Sequence, residues 1–97
     1  MTTYISLLRF TEQGAKNIKK STNRAHEFDA VATKAGVKIE AQYWTMGAYD
    51  AVVIIEAPDD ETMSAFILKV CSLGNVQGQT LRAFRRNEME GILAKIK

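Results

Sequence analysis

Apolar residues recur along this chain with two different periods, and the changes between them divide it into seven segments. Residues 3–10 are rich in aromatic and β-branched side chains, which predicts a strand that is apolar on both faces. From Glu12 to about Ala35 small and apolar residues recur every three or four positions, which predicts one long amphipathic helix ending at Gly36. The expected inward stripe consists of Ala15, Ile18, Thr22, Ala25, Phe28 or Asp29, and Ala32.

Two further strands follow, joined by a tight turn. Residues 37–46 alternate between apolar and polar positions, Gly47-Ala48 forms the predicted turn, and residues 49–57 form a strongly apolar strand. A two-residue turn pairs Thr45 with Asp50, Trp44 with Ala51, and Tyr43 with Val52. One face of the hairpin then carries Tyr43, Asp50, Val52 and Ile54, and the other carries Trp44, Met46, Tyr49, Val53 and Ile55.

The remaining segments complete a β-α-β-β-α-β order. A helix begins after Pro58 and stops at Gly74, a fourth strand covers about residues 76–84, and a last amphipathic helix follows Arg85. This order predicts one α+β domain over residues 1–97, a ferredoxin-like four-stranded antiparallel sheet with a C-terminal helix. Two helices cover only one face of such a sheet, so we expect the other apolar face to pack on a second copy in a homodimer or higher homo-oligomer.

Composition narrows the function classes. A net charge of +2 is weak for a nucleic-acid binder, and the third strand lacks the aromatic residues on which RNA-recognition modules stack bases. No apolar run is long enough to span a bilayer, so no membrane role is expected. The single Cys71 cannot form an internal disulfide and the N-terminus has no signal-peptide pattern, which together predict a cytoplasmic protein.

Several sequence blocks occur together in one order along the chain. They are Tyr4-Ile-Ser-Leu-Leu, Thr11-Glu-Gln-Gly, Lys16-Asn-Ile-Lys, Tyr43-Trp-Thr-Met-Gly-Ala-Tyr-Asp50, Glu56-Ala-Pro-Asp-Asp-Glu-Thr62, Leu73-Gly-Asn-Val76 and Thr80-Leu-Arg-Ala-Phe84. In these blocks the chain resembles the GYD-domain proteins. The resemblance implies a bacterial or archaeal protein with the dimeric α+β barrel fold, but it implies no agreed catalytic set. The chain departs from the family pattern at Thr22, Gln77 and Gly78.

Three residues are candidates for acid–base chemistry. His26 is the only histidine, so it cannot form a metal site alone, and it is either a pocket acid–base group or an ordinary helix residue. Asp50, at the start of a buried strand, is either a general base with a raised pKa or an acceptor of backbone N–H groups in the turn. Tyr43 completes the set of catalytic candidates, and no metal or other cofactor is expected.

Four further residues are candidates for ligand binding. Trp44 and Tyr49 gather with Tyr43 at one end of the sheet, where they either line a pocket or fill a dimer core. Arg9 and Arg82 lie on neighbouring strands, so both could contact one carboxylate, unless they form interface salt bridges or guard a sheet edge.

These residues leave three functions open. The first is a homodimer that binds a small, partly hydrophobic ligand in a sheet-lined cavity beside Trp44 and Tyr49. The second is a cofactor-independent enzyme, of the oxygenase or isomerase kind, acting on a small organic substrate. The third is a structural dimer with no ligand. A cavity with convergent polar groups would favour the first two functions.

Overall fold

The computed structural model describes residues 1–97 and contains one sheet with its two longest helices packed on one side. Its elements are β1 (Thr2–Phe10), α1 (Glu12–Lys16), a 3-10 turn (Ile18–Lys20), α2 (Ser21–Ala35), β2 (Lys38–Trp44), β3 (Ala51–Ala57), α3 (Asp60–Ser72), β4 (Val76–Ala83) and α4 (Arg86–Leu93). The strand order is β2-β3-β1-β4, and all neighbours are antiparallel. The predicted α+β, ferredoxin-like arrangement is confirmed. No helix combines the length and the apolar character that crossing a membrane requires.

The predicted single helix over residues 12–35 is wrong, because the chain turns at Asn17. Asn17 leaves the helical region with φ −104° and ψ 29°, and the 3-10 turn follows it before α2 begins. The Asn17 side chain donates to the carbonyl oxygen of Gln13 at 3.0 Å, an alternative to helix bonding that asparagine commonly offers. The early part of the predicted stripe is therefore displaced, and Ile18 is 44% exposed. The later members Phe28 and Ala32 pack toward the core as predicted, together with Val31.

The hairpin register is confirmed, although the strands end earlier than predicted. Tyr43 pairs with Val52 and Trp44 with Ala51, while the Thr45 N–H donates to the carbonyl oxygen of Asp50 at 2.9 Å. Tyr49 and Asp50 belong to the loop rather than to β3, because the chain needs the stretch from residue 45 to residue 50 to reverse. Gly47 supports this reversal with a φ of +111°, a conformation that glycine adopts without steric cost.

A β-bulge in β2 changes the predicted faces of that strand. Ile39 pairs with Ile55 and Ala41 pairs with Ile54, so Glu40 is an extra residue without a partner on β3. Ile39 therefore faces the helices, whereas Ala41 and Tyr43 face the opposite side of the sheet. The expectation of one continuous apolar face from Val37 to Tyr43 fails at this residue.

The core lies between the sheet and the helices α2 and α3. Phe66 and Ile55 are fully buried at its centre, and the Phe28 and Phe66 rings pack at a centroid distance of 5.1 Å. The buried apolar residues are Tyr4, Leu8, Ala32, Val37, Val53, Ile55, Ala57, Met63, Phe66 and Val70. Met63, Phe66 and Val70 follow one another at steps of three and four residues, which places them on the same side of α3.

The other side of the sheet, which we call the open face, is not covered by the chain's own helices. Its centre consists of four half-buried apolar residues, two on β1 and two on β3: Ile5, Leu7, Val52 and Ile54. Leu81 on β4 extends this apolar surface and is 43% exposed. The last helix also keeps its apolar residues Met89, Leu93 and Ile96 exposed.

Ion pairs fix the start of α4 across one end of the sheet. The Arg85 guanidinium lies 2.6 Å from Glu40 and 3.1 Å from Glu56, and Arg82 lies 3.4 Å from Glu88. The backbone N–H of Arg85 also donates to Glu88, which lowers the pKa of that carboxyl below its ordinary value. These contacts join α4 to β2, β3 and β4.

Gly14 forms the tightest junction of the fold, where α1 meets the loop before β4. The Thr11 N–H donates to the carbonyl oxygen of Asn75 at 3.0 Å, and the Thr11 hydroxyl accepts from the Gly14 N–H at 3.1 Å. A Cβ atom on Gly14 would collide with the backbone carbonyl of Asn75, whereas Gly91 on α4 has open space around it.

We expect Gly14→Ala to lower the free energy of unfolding by about 1–3 kcal/mol, because the backbone of the junction must shift to admit the methyl group. The matched control Gly91→Ala should raise that free energy by up to about 1 kcal/mol, because alanine is the better helix former. Urea unfolding of both variants measures the difference. Equal effects would show that the junction tolerates a side chain.

Tyr4 links the buried strand β1 to the start of α3. Its hydroxyl donates to the carboxylate of Asp60, and the Arg82 guanidinium lies 5.9 Å from the centre of its ring. Burial, together with this hydrogen bond, raises the pKa of Tyr4 to about 12.

We expect the free energy of unfolding to fall as the pH rises from about 10 to about 12, because the unfolded chain ionises its tyrosine at the ordinary pKa while the folded chain holds the proton. The Tyr4→Phe variant should lose about 1 kcal/mol at neutral pH and show a smaller fall in that window. Chemical unfolding across the pH series compares the two. Parallel curves would contradict the role given to Tyr4.

Candidate ligand cavity

A small cavity lies between α2 and the helix-facing side of the sheet. Its volume is about 100 Å³, and most of its wall is apolar. Residues of α2, α3 and all four strands form the wall, among them Leu8, Phe10, Phe28, Val31, Val53 and Val76. Ligand pockets for drug-sized molecules are several times larger, about 300–1,000 Å³, so this cavity suits a smaller apolar group.

Polar groups gather at the start of α2, where the cavity opens. The indole N–H of Trp44 donates to the Ser21 hydroxyl at 2.7 Å, which joins the end of β2 to the start of α2. One turn further along α2, the Arg24 guanidinium donates to the carbonyl oxygens of Asn17 at 2.7 Å and Gly14 at 3.3 Å. Arg24 is half-buried and takes part in none of the ion pairs of this chain.

Of the residues predicted to bind a ligand, the structure places only Trp44 in this wall. Tyr43, a candidate for acid–base chemistry, also lines the cavity, whereas Tyr49 lies away from it and its hydroxyl accepts from Gln79 at 2.6 Å. The Arg9 guanidinium lies 4.8 Å from the centre of the Tyr49 ring and donates to the carbonyl oxygen of Ala48 at 2.9 Å. Tyr49 and Arg9 therefore stabilise the hairpin loop.

The two strand arginines do not meet. Arg9 pairs in register with Gln77, near one end of β4, and Arg82 pairs with Tyr4, near the other end and on the opposite face of the sheet. Arg82 packs over the rings of Tyr4 and Phe84, at 5.9 Å and 4.4 Å from their centres. One carboxylate therefore cannot contact both arginines of one chain.

The acid–base candidates are also separated. His26 is exposed and lines an open groove of about 800 Å³ between α2 and β2, together with Asp29. Asp50 lines neither this groove nor the cavity, and its carboxylate accepts the Phe10 N–H at 2.9 Å. No three His, Cys, Asp or Glu side chains are grouped so that they could hold a metal ion.

Sequence reasoning missed Arg24, although its position carried a signal. Ser21, Arg24 and Phe28 follow one another at steps of three and four residues, so they share one face of α2. The predicted stripe ran through Thr22 and Ala25, one position further along. Ala25 lines the cavity but Thr22 is exposed, so Arg24 lies beside the predicted stripe rather than on it.

Comparison with known proteins identifies the family of this chain. The model of the GYD domain matches residues 4–93. The "Glutamine synthetase and cystathionine beta-lyase binding protein" of Thermus thermophilus is 36% identical over 84 residues, which cover 86% of this chain and 88% of that protein.

Two solved structures share the fold. The crystal structure of FFRP-DM1 superposes with a TM-score of 0.64 at 20% identity, covering 87% of this chain and 100% of that one. The crystal structure of TTHA0845 from Thermus thermophilus has a TM-score of 0.57 at 24% identity, covering 88% of this chain and 95% of that one. At these identities the likeness concerns the fold.

We expect Asp50→Ala to lower the free energy of unfolding by about 1–2 kcal/mol, because the Phe10 N–H loses its acceptor. Asp50→Asn keeps a side-chain oxygen at that position, so its loss should be clearly smaller. Urea unfolding measures both variants. Equal losses would assign the effect to the negative charge rather than to the hydrogen bond.

Proposed function

This chain belongs to the GYD domain family, and from that premise we propose that it is a binding protein that acts as a homodimer. The observation that carries the proposal is the open face, whose apolar centre is left uncovered by the chain itself. The Thermus relative is named for binding two enzymes, which supports binding rather than catalysis as the role of this chain.

The size of the open face fits a second copy. Four strands about 4.8 Å apart and about seven residues long make a surface of about 19 by 23 Å in projection. A stable interface buries about 800 Å² of accessible surface on each partner. The sheet supplies most of this area.

Pairing through the open face leaves the helical side of each copy available. The cavity beside Trp44 opens on that side, and we propose it as the place for a small, partly hydrophobic ligand. Leu68 on the outer side of α3 is 71% exposed and offers apolar surface to a protein partner. The free thiol of Cys71 supports a reducing location such as the cytoplasm.

The geometry gives less support to a cofactor-independent enzyme. General acid–base catalysis needs groups within hydrogen-bond reach of one bound substrate. His26 and Asp50 do not share a cavity, and Asp50 already accepts a backbone N–H. A binding protein is therefore better supported by the structure than a cofactor-independent enzyme.

We expect the wild-type chain to have the mass of a dimer and Ile54→Glu to have the mass of a monomer, because the substitution buries two carboxylates in the apolar interface. The matched control Leu68→Glu changes an exposed leucine on the helical side and should remain dimeric. Native mass spectrometry and light scattering at micromolar concentration measure the masses.

A second variant, Leu81→Glu, tests the same interface if Ile54→Glu does not fold. Leu81 lies on the open face but is 43% exposed in the single chain, so a charge there should not disturb folding. Circular dichroism checks that each variant folds. A monomeric wild type, or a dimer that persists in both folded variants, would overturn the proposed interface.

A further inference from the structure

We propose that the cavity beside Trp44 binds a small monocarboxylate with a branched or cyclic apolar tail, and that Arg24 holds the carboxylate. This inference deepens the ligand-binding part of the proposed function and rests on it. It does not depend on the dimer, because the cavity lies on the helical side of the sheet.

The size and lining of the cavity define the tail of the ligand. An apolar cavity of about 150 Å³ admits a molecule as large as benzene, so about 100 Å³ suits a group of roughly four or five carbons. Branched side chains such as Val31, Val53 and Val76 form the wall, and the ring of Phe28 closes one side. A compact branched tail fills this space better than a long straight chain.

Arg24 defines the head group. A guanidinium has five N–H donors, and the two hydrogen bonds of Arg24 go to the neutral carbonyl oxygens of Asn17 and Gly14. These bonds orient the side chain at the cavity without neutralising its charge. Because Arg24 is half-buried and has no acidic partner, a carboxylate at the cavity gains a charge-assisted hydrogen bond.

Two neighbours of Arg24 refine the choice of ligand. Ser21 accepts the indole N–H of Trp44, and its own O–H remains available to donate to a carboxylate oxygen. Glu27 lines the same cavity, is exposed and takes part in no ion pair. Its negative charge disfavours a second carboxylate on the ligand, which is why we infer a monocarboxylate.

The test compares 4-methylpentanoate with its neutral isostere 4-methylpentanamide. Trp44 is the only tryptophan, so its fluorescence reports occupancy of the cavity, and titration calorimetry gives the affinities. We expect the wild-type protein to bind the acid at least tenfold more tightly than the amide, because only the acid pairs with the guanidinium. The dicarboxylate hexanedioate should bind more weakly than 4-methylpentanoate.

Two substitutions separate the contributions of the ligand's carboxylate and of its apolar tail to the affinity. Arg24→Met should reduce the affinity for the acid at least tenfold and leave the amide nearly unchanged. The matched control Arg86→Met changes an exposed arginine on α4, away from the cavity, and it should bind as the wild type does. Val31→Phe fills the cavity and should abolish binding of both compounds.

Arg24 also donates to carbonyl groups at α1, so its substitution could unfold the protein. Folding and assembly are therefore measured on the same samples. Val31→Phe leaves those contacts intact and so tests the cavity if Arg24→Met unfolds. Equal affinities for acid and amide, or no binding of either at millimolar concentration, would overturn the inference. The dimer mass of the wild type is read separately, so such a result would leave the proposed interface standing.

Discussion

The central strand β1 sets the constraint on which the rest of this structure depends. It lies between β3 and β4, and both of its faces carry apolar side chains, with Tyr4 and Leu8 on one side and Ile5 and Leu7 on the other. Such a strand must be covered on both faces, and one chain provides helices for only one. The core and the cavity lie on the face that the helices cover, and the proposed self-association uses the open face.

One end of the cavity lies where the connection from β1 to α2 departs from a straight helix. The chain turns at Asn17, Gly14 docks against Asn75, and Trp44 joins the end of β2 to the start of α2 through Ser21. Arg24 donates to the carbonyl oxygens of Gly14 and Asn17 beside this turn. The same side chain thus serves the local fold and, in our proposal, the ligand.

Most of the fold was predictable from the sequence because it depends on periodic burial. The register of Tyr43 with Val52 and the buried stripe Met63, Phe66 and Val70 follow directly from alternation and helical spacing. The break at Asn17 and the bulge at Glu40 did not follow from the periodicity, because the Asn17 side chain bonds locally to Gln13 and Glu40 pairs with the distant Arg85. The site was therefore only partly predicted: Trp44 lines the cavity, but Arg24 lies beside the expected stripe of α2 rather than on it.

The bulge at Glu40 has a further consequence for how this chain meets others. A flat, regular edge strand offers its free backbone groups to any other strand, and repeated pairing of that kind builds open-ended fibres. At β2 the extra residue interrupts the regular spacing of those groups, and the ion pair of Glu40 with Arg85 places charge at that edge. In the proposed homodimer, assembly is thereby directed from this edge of the sheet to its face, where two copies exhaust the available surface and growth stops.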